Sequence, residues 1–171
     1  MILIHTALLC EAQSFIEVLK LKKVNSSPKI YLNDSYILVI SGIGKENTSI
    51  ALKYILEKYD IEKAFNIGVA GCNDKDIEIG SLFCTNGNLD NINYLQLKTV
   101  DMPQTISDII EPTLYDMEGN YFLEYLSSKL KNKDLFILKV VSDYLDDTIL
   151  VKDDIKALIK KQMPIILKIM K

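Results

Sequence analysis

Residues 36–71 of the 171-residue chain, YILVISGIGKENTSIALKYILEKYDIEKAFNIGVAG, decide the fold. Two apolar runs, at 36–40 and 64–69, flank a segment whose apolar residues recur at helical spacing. Each run leads into a turn that contains glycine, the first at 41–44 and the second at 70–71. Apolar strands that alternate with a helix predict a parallel sheet that is covered on both faces.

The same alternation extends to both sides of this stretch. Residues 2–7 predict a first strand, and a helix follows in which Ala12, Phe15, Ile16 and Leu19 share one face. The remaining predictions are a turn at 25–28, strands at 29–32, 80–85, 94–100 and 135–141, a helix at 117–130, and a helical tail from 152 that Pro164 kinks or divides. We therefore expect one three-layer α/β domain over 1–171, with a central mostly parallel or mixed sheet.

Composition excludes several classes of protein. A net charge of -3 and a pI near 5.2 provide no positive field for a nucleic-acid backbone, so we expect no nucleic-acid partner. Apolar segments are too short to cross a bilayer, and we expect no membrane association. The three cysteines Cys10, Cys72 and Cys84 show no metal-ligand spacing. They predict reduced thiols, a cytoplasmic protein, and neither a metal nor another cofactor.

Candidate functional residues follow the predicted strands, because ligands bind beyond the carboxyl ends of the strands in open α/β sheets. Several of these residues also have a purely structural interpretation. The Gly42-Ile43-Gly44 turn suits a helix N-terminus that binds a ligand or a tight strand-to-helix turn. Glu11 suits a first-turn acid, Asp143 suits a helix cap, and His5 within an apolar strand suits a hydrogen-bonded core residue.

Six short motifs occur in an order that resembles the superfamily of nucleoside phosphorylases and methylthioadenosine/adenosylhomocysteine nucleosidases. They are LCEA at 9–12, SGIGK at 41–45, NIGVAG at 66–71, IEIGSLF at 77–83, DMEG at 116–119 and VVSD at 140–143. The resemblance implies a phosphorylase/hydrolase-like domain that binds a small-molecule nucleoside, needs no cofactor and forms a homodimer.

The resemblance also implies roles for individual residues. Glu11 would activate the attacking water, Glu118 would hold the ribose hydroxyls, Asp143 would protonate the purine, and Met117 would pack against the sugar. The other residues expected to bind substrate are Ser41, Gly42, Ile43, Gly44, Ala70, Gly71 and Ser142. Glycosidic cleavage needs one protonated and one ionised carboxyl group. Asp143, after a buried strand, is suited to hold a proton, and Glu11, near a helix start, is suited to stay charged.

Departures from the family pattern leave three functions open. Segment 84–115 is shorter than in typical members, Val69 and Lys139 replace a small polar residue and an arginine, and Asp116 replaces a glutamate. Hydrolysis of a purine nucleoside or thio-nucleoside is favoured, because phosphorylases clamp phosphate with arginines and all twenty basic residues here are lysines. A purine nucleoside phosphorylase with Lys45 as phosphate contact, and an inactive nucleoside-binding or interaction protein, are the alternatives.

Overall fold

The computed structural model describes residues 1–146 and 150–171, in which strands and helices alternate. The strands are β1 (Ile2–Thr6), β2 (Lys22–Ser26), β3 (Lys29–Leu32), β4 (Tyr36–Ile40), β5 (Lys63–Cys72), β6 (Leu82–Cys84), β7 (Asn93–Tyr94), β8 (Gln96–Thr99), β9 (Thr113–Asp116) and β10 (Leu135–Asp143). The helices are α1 (Leu9–Val18), α2 (Lys45–Lys58), α3 (Gly119–Leu126) and α4 (Lys152–Ile169).

The strands form one mixed sheet in the order β2-β3-β4-β1-β5-β10-β6-β7, while β9 pairs with the end of β5 and β8 pairs with β9. Its centre is parallel, because β4, β1, β5 and β10 run in one direction. Antiparallel pairs attach β3, β6 and β9 to that centre. The predicted central sheet, mostly parallel or mixed, is therefore confirmed.

Helices cover both faces of the sheet, as a sheet buried on two sides requires. On one face, Phe15 of α1 and Ile159 of α4 pack against Phe65 and Leu138 of the sheet. The opposite face carries α2 and α3, whose inward residues include Leu52, Ile55, Phe122 and Leu126. The predicted three-layer architecture follows from these two apolar cores. Among the described residues, no helix is both long and apolar enough to cross a membrane.

Two strands, β2 and β9, were not predicted, and two predicted strands extend further than expected. The single strand predicted at 94–100 is divided into β7 and β8. β2 is rich in exposed lysine at the sheet edge, and Asn25 and Ser26, predicted to lie in a turn, belong to it. β9 follows Pro112 directly and is only four residues long. β10 continues to Asp143 because it pairs with Ala70 and Gly71 of β5. β5 continues to Cys72 because its last two residues also pair with β9. Polar and glycine residues therefore do not end these strands.

The predicted helices exist, with different limits. α3 begins at Gly119 rather than Met117, and this places Met117 and Glu118 in the connection that leaves β9. α4 is not divided by Pro164, which lies inside it on the exposed side. There the carbonyl group that proline leaves without a helical partner can be hydrated.

Candidate functional site

Six chain segments meet in a cleft of about 210 Å³ at the carboxyl ends of the central strands. The cleft brings together the three acids that the sequence motifs single out, Glu11, Glu118 and Asp143. It also contains five of the residues predicted to bind substrate, which are Ile43, Ala70, Gly71, Met117 and Ser142. Sequence positions that are far apart in the chain thus converge at one concave surface.

The other predicted binding residues lie beside the cleft rather than in its lining. Ser41 and Gly42 line a neighbouring depression together with Pro28 and Lys29. Gly44 acts through its backbone, because its N–H donates to Glu118 Oε1 at 2.9 Å. Gly42 and Gly44 have φ of 94° and 90°, in the left-handed region that glycine occupies readily. The tight strand-to-helix turn is therefore present, and it also orients an acid of the cleft.

The Glu11 carboxylate is fixed by three backbone N–H groups. Its Oε2 accepts from Ala7 at 3.0 Å and Leu8 at 2.9 Å, and its Oε1 accepts from Val69 at 3.1 Å. Glu11 is 4% exposed, and this burial raises its pKa, although Lys139 and the backbone donors favour the charged form. The sequence analysis expected Glu11 to stay charged because it lies near the start of a helix. It did not take into account that burial removes water from the carboxylate.

Gly68 makes the position of Glu11 possible. A methyl group on Gly68 would lie 2.6 Å from Glu11 Oε1 and 3.5 Å from Lys139 Nζ, and the first distance is a steric overlap. The glycine of the NIGVAG motif therefore leaves room for the carboxylate above β5.

The Glu118 side chain is also buried, at 7% exposure, just before α3. Burial raises its pKa to about 7, in spite of the opposing charge of Lys139 and the hydrogen bond from Gly44. Nearby Asp116 and Glu11 add to the rise. Glu118 therefore changes its charge near neutral pH, where an ordinary glutamate is fully ionised.

Beneath these acids lies a buried ion pair that the sequence analysis did not predict. Lys139 Nζ is 2.7 Å from Asp116 Oδ2, and the two side chains are 2% and 1% exposed. Asp116 also accepts from Thr99 Oγ1 at 2.6 Å and from the Gly119 N–H at 2.8 Å. Burial lowers the pKa of Lys139, but Asp116, Glu118 and Glu11 outweigh it, and the pKa lies above its usual range. Lys139 therefore stays charged under an acidic cleft.

Asp143 ends β10, where the pairing with β5 contains an irregularity between Val141 and Asp143. Its Oδ2 accepts from Ser142 Oγ at 2.6 Å, and its Oδ1 accepts from the Leu145 N–H at 3.0 Å. Because α4 begins only at Lys152, Asp143 caps no helix. The Ser142–Asp143 pair instead presents a carboxyl group at the cleft wall.

The wall of the cleft contains residues that sequence reasoning did not single out. Val100, Pro103 and Gln104 contribute from the segment between β8 and β9, and Tyr115 contributes from β9. The Asn73 side chain anchors this segment, because its Nδ2 donates to the Ile109 carbonyl at 2.8 Å and its Oδ1 accepts from the Thr113 N–H at 2.7 Å. Only the turn-rich composition of 101–112 could have marked it as a loop that serves the site.

His5 lies in the core and outside the cleft lining. Its Nδ1 is 2.7 Å from Asn66 Nδ2, and its ring packs against Phe122. Burial, helped by the charge of Lys139, lowers the pKa of His5 to about 3, so the imidazole is neutral. The core interpretation therefore holds. Within 1–146 and 150–171, no cluster of His, Cys, Asp and Glu has an arrangement that could hold a metal ion.

The charge of the cleft is strongly one-sided. Glu11, Asp116, Glu118 and Asp143 all line it, whereas no lysine or histidine of the described residues does. Lys45 lines a separate depression, with its Nζ 5.2 Å from the centre of the Tyr121 ring. An anion that enters the cleft would therefore meet carboxyl groups and no cationic side chain in direct contact.

Comparisons with known proteins agree with this architecture. The chain is 33% identical over 84 residues to the 5'-methylthioadenosine/S-adenosylhomocysteine nucleosidase of Staphylococcus epidermidis, a match that spans 46% of this chain and 36% of that relative. The nucleosidase of S. pneumoniae, solved with the transition-state inhibitor MT-ImmA, superposes with a TM-score of 0.82 at 15% identity, over 99% of this chain and 98% of that one. Futalosine hydrolase of Helicobacter pylori gives 0.81 at 15%, over 99% and 96%.

A family model covers more of the sequence than the Staphylococcus match does. The model of the phosphorylase superfamily matches residues 12–132, which is well over half of the chain. The solved structures share the fold at low identity, and the family model adds a match of the sequence itself. The chain belongs to the phosphorylase superfamily.

Proposed function

We propose that this protein hydrolyses the N-glycosidic bond of a purine nucleoside or 5'-thio-nucleoside. One observation carries the proposal: Glu11, Glu118 and Asp143 line a single cleft in which the described residues place no cationic side chain. Cleavage builds positive charge on the sugar and negative charge on the base, so it needs carboxyl groups on both sides of the bond. Nucleosidases among the relatives and structural neighbours support the same reaction.

Glu11 is proposed as the general base that activates water. Its carboxylate is held by three backbone N–H groups, so it cannot swing away from the cleft without losing them. A general base works best when its pKa approaches the working pH, and burial raises the pKa of Glu11 in that direction.

Glu118 is proposed as the ligand of the ribose hydroxyls. Its Oε1 is tied to the Gly44 N–H, which leaves the second oxygen free to accept from substrate. Its negative charge would also favour the cationic sugar that develops as the bond breaks. Met117, the preceding cleft residue, would then pack against the sugar.

Asp143 is proposed as the general acid that protonates the leaving base. The Ser142 hydroxyl and the Leu145 N–H hold its two oxygens at the cleft wall. A base that leaves as an anion is a poor leaving group, so a proton from Asp143 lowers the barrier to cleavage. Ala70 and Gly71, on the adjacent strand, would contribute backbone surface to the base subsite.

Hydrolysis is preferred to phosphorolysis because of the cleft charge. A phosphate dianion in the cleft would meet the carboxyl groups of Glu11, Glu118 and Asp143, while the nearby Lys139 is already paired with Asp116. The side chain proposed as a phosphate contact, Lys45, lies against Tyr121 in another depression. Water carries no charge and meets no such barrier.

The decisive experiment is a nucleoside panel incubated with the protein in the presence and absence of phosphate. We expect free purine from methylthioadenosine, adenosine or inosine at the same rate in both buffers, measured by liquid chromatography. Base release that requires phosphate would favour the phosphorylase. Binding of nucleosides without any release would favour an inactive binding protein.

We further propose a cytoplasmic homodimer. The three cysteines are free thiols in the structure, which suits a reducing compartment.

The homodimer is proposed from exposed apolar side chains. Met102, Ile106 and Ile110, in the segment that supplies part of the cleft wall, are 71%, 81% and 96% exposed. Apolar side chains so exposed beside a cleft favour a contact with a second copy. Sedimentation velocity of the wild type and of an Ile106→Asp/Ile110→Asp variant tests this, because the variant should be monomeric.

A further inference from the structure

The side chain of Asn73, directly after β5, holds the segment between β8 and β9 from outside the cleft. Its Nδ2 amino group has three oxygen acceptors within hydrogen-bond distance, which are Ser107 Oγ at 3.1 Å and the carbonyls of Ile109 at 2.8 Å and Glu111 at 3.0 Å. Its Oδ1 accepts from the Thr113 N–H at 2.7 Å, where β9 begins. One amide group therefore joins the end of β5 to the second half of the segment.

Ser107 connects this amide to the cleft itself. Its Oγ is 2.6 Å from the Tyr115 hydroxyl, and Tyr115 lines the cleft. Pro103 and Gln104, which precede Ser107 in the segment, also line it. Asn73 lies outside that lining, so any effect of Asn73 on a bound nucleoside is transmitted through these residues.

The first part of the segment is attached at a different point. The Tyr121 hydroxyl of α3 donates to Asp101 Oδ1 at 2.5 Å. The cleft-lining residues of the segment lie between this attachment and the one to Asn73. Asp108, in the second half, also pairs with Lys98 at 2.8 Å, but the two side chains are 79% and 40% exposed, and such a pair contributes little. The Asn73 amide is therefore the main restraint on the second half of the segment.

We propose that Asn73 is a positioning residue for nucleoside binding, because its amide holds this segment in the arrangement that forms the cleft wall. Without the amide, the segment would populate arrangements in which the wall is displaced. The apparent affinity for a nucleoside then falls by the fraction of molecules that keep the wall in place. A bound nucleoside restores the wall, so the reaction at saturation is unaffected. The inference rests on the proposed function, since it concerns how the same cleft holds its nucleoside.

Asn73→Asp tests the proposal with a side chain of the same shape. The carboxylate can still accept from the Thr113 N–H, but it places an oxygen where Nδ2 now faces three oxygen acceptors. At pH 8, where aspartate is ionised, we expect KM to rise about tenfold with kcat nearly unchanged. Ser107→Ala removes one acceptor and the contact with Tyr115, and it should raise KM about twofold to threefold. It decides the question if Asn73→Asp does not fold.

Asp108→Asn is the matched control, because it removes an exposed contact of the same segment and leaves the Asn73 amide intact. It should change neither KM nor kcat. Hydrogen exchange measured by mass spectrometry, without any ligand, reports on the segment directly. Asn73→Asp should accelerate exchange in peptides that cover 102–112, and Asp108→Asn should not.

Calorimetric binding of adenosine separates failure of this inference from failure of the proposed reaction. A wild type that binds adenosine but releases no base contradicts the reaction, and tenfold weaker binding by Asn73→Asp would still support the positioning role. If exchange accelerates while KM and adenosine affinity keep their wild-type values, Asn73 only stabilises the segment and the inference is wrong. It is also wrong if exchange does not change, or if Asp108→Asn raises KM as much as Asn73→Asp does.

Discussion

Lys139 Nζ and Asp116 Oδ2 are 2.7 Å apart, and the sheet and helices around them leave almost no surface of either side chain exposed. Within this pair, Lys139 is the positive group beneath a cleft whose charged lining residues are acids. Glu11 and Glu118 both feel its charge, which opposes the rise in pKa that burial causes in each. A single lysine therefore limits how far two acids of the cleft are neutralised.

Replacement of Lys139 by methionine should destabilise the protein by about 3–5 kcal/mol, since it leaves Asp116 buried without a counter-ion. Urea unfolding at pH 7 measures this. Lys139→Met/Asp116→Asn should recover part of the loss, because neither charge then remains. Lys98→Met removes the exposed pair with Asp108 and should cost no measurable stability. If the single and the double variant lose the same free energy of unfolding, the unpaired charge of Asp116 is not the cause of the loss.

The pH dependence of kcat/KM should reveal Glu118. Its pKa of about 7 means that the carboxyl group is protonated below neutrality and charged above it. Since the ionised form is the one proposed to hold the ribose, kcat/KM should rise with pH through about 7 and then level off. Glu118→Gln should remove that rise and weaken nucleoside binding about 10-fold to 100-fold. A wild-type profile that is flat between pH 6 and 8 would exclude this assignment.

Variants of the two acids proposed as catalytic should fail in different ways. Asp143→Asn keeps the size of the side chain but cannot donate the proton, so purine release should fall by about 10²-fold or more. Glu11→Gln should abolish turnover and leave nucleoside binding largely intact, because its proposed action is on water. Single-turnover release and equilibrium binding measure the two effects. Loss of binding with Glu11→Gln would show that Glu11 contacts the nucleoside itself.

Gly68→Ala should reduce activity although Gly68 itself does not line the cleft. The added methyl group would overlap Glu11 Oε1 and force the carboxylate to move. Displacement of a catalytic group by about 1 Å costs on the order of 10² in rate, so kcat should fall by that factor while the nucleoside Kd changes little. Gly87→Ala is the control, because no atom lies within 4 Å of its added methyl group. Similar activities for the two variants would refute the steric argument.

Sequence reasoning predicted the central sheet because β1, β4, β5 and β10 are apolar runs. Such a run can be identified as a buried strand without knowledge of the strands with which it pairs. It also selected Glu11, Glu118 and Asp143, which the structure places in one cleft. These acids belong to short motifs, and the order of the motifs along the chain indicated the resemblance to the superfamily.

Features that depend on tertiary contact were not predictable in this way. The sequence shows Lys139 and Asp116 as departures from the family pattern, but it does not show that they pair. Asp116 belongs to β9, which has only four residues and was not predicted as a strand. The burial of Glu11 beside Gly68 arises from tertiary packing, as does the approach of Lys139, whose charge opposes the resulting rise in the pKa of Glu11. Nor does any local pattern indicate that Leu145 has a positive φ.

Glu11 lies in α1, directly after β1, and Asp143 ends β10. Both β1 and β10 pair with β5. The cleft therefore exists only after β5 has recruited partners from both ends of the sequence, a long-range event that is slow in folding. Base release should consequently be among the last properties to return on refolding. A helix signal that recovers before activity would identify an intermediate whose outer helices have formed while its central strands are still unpaired.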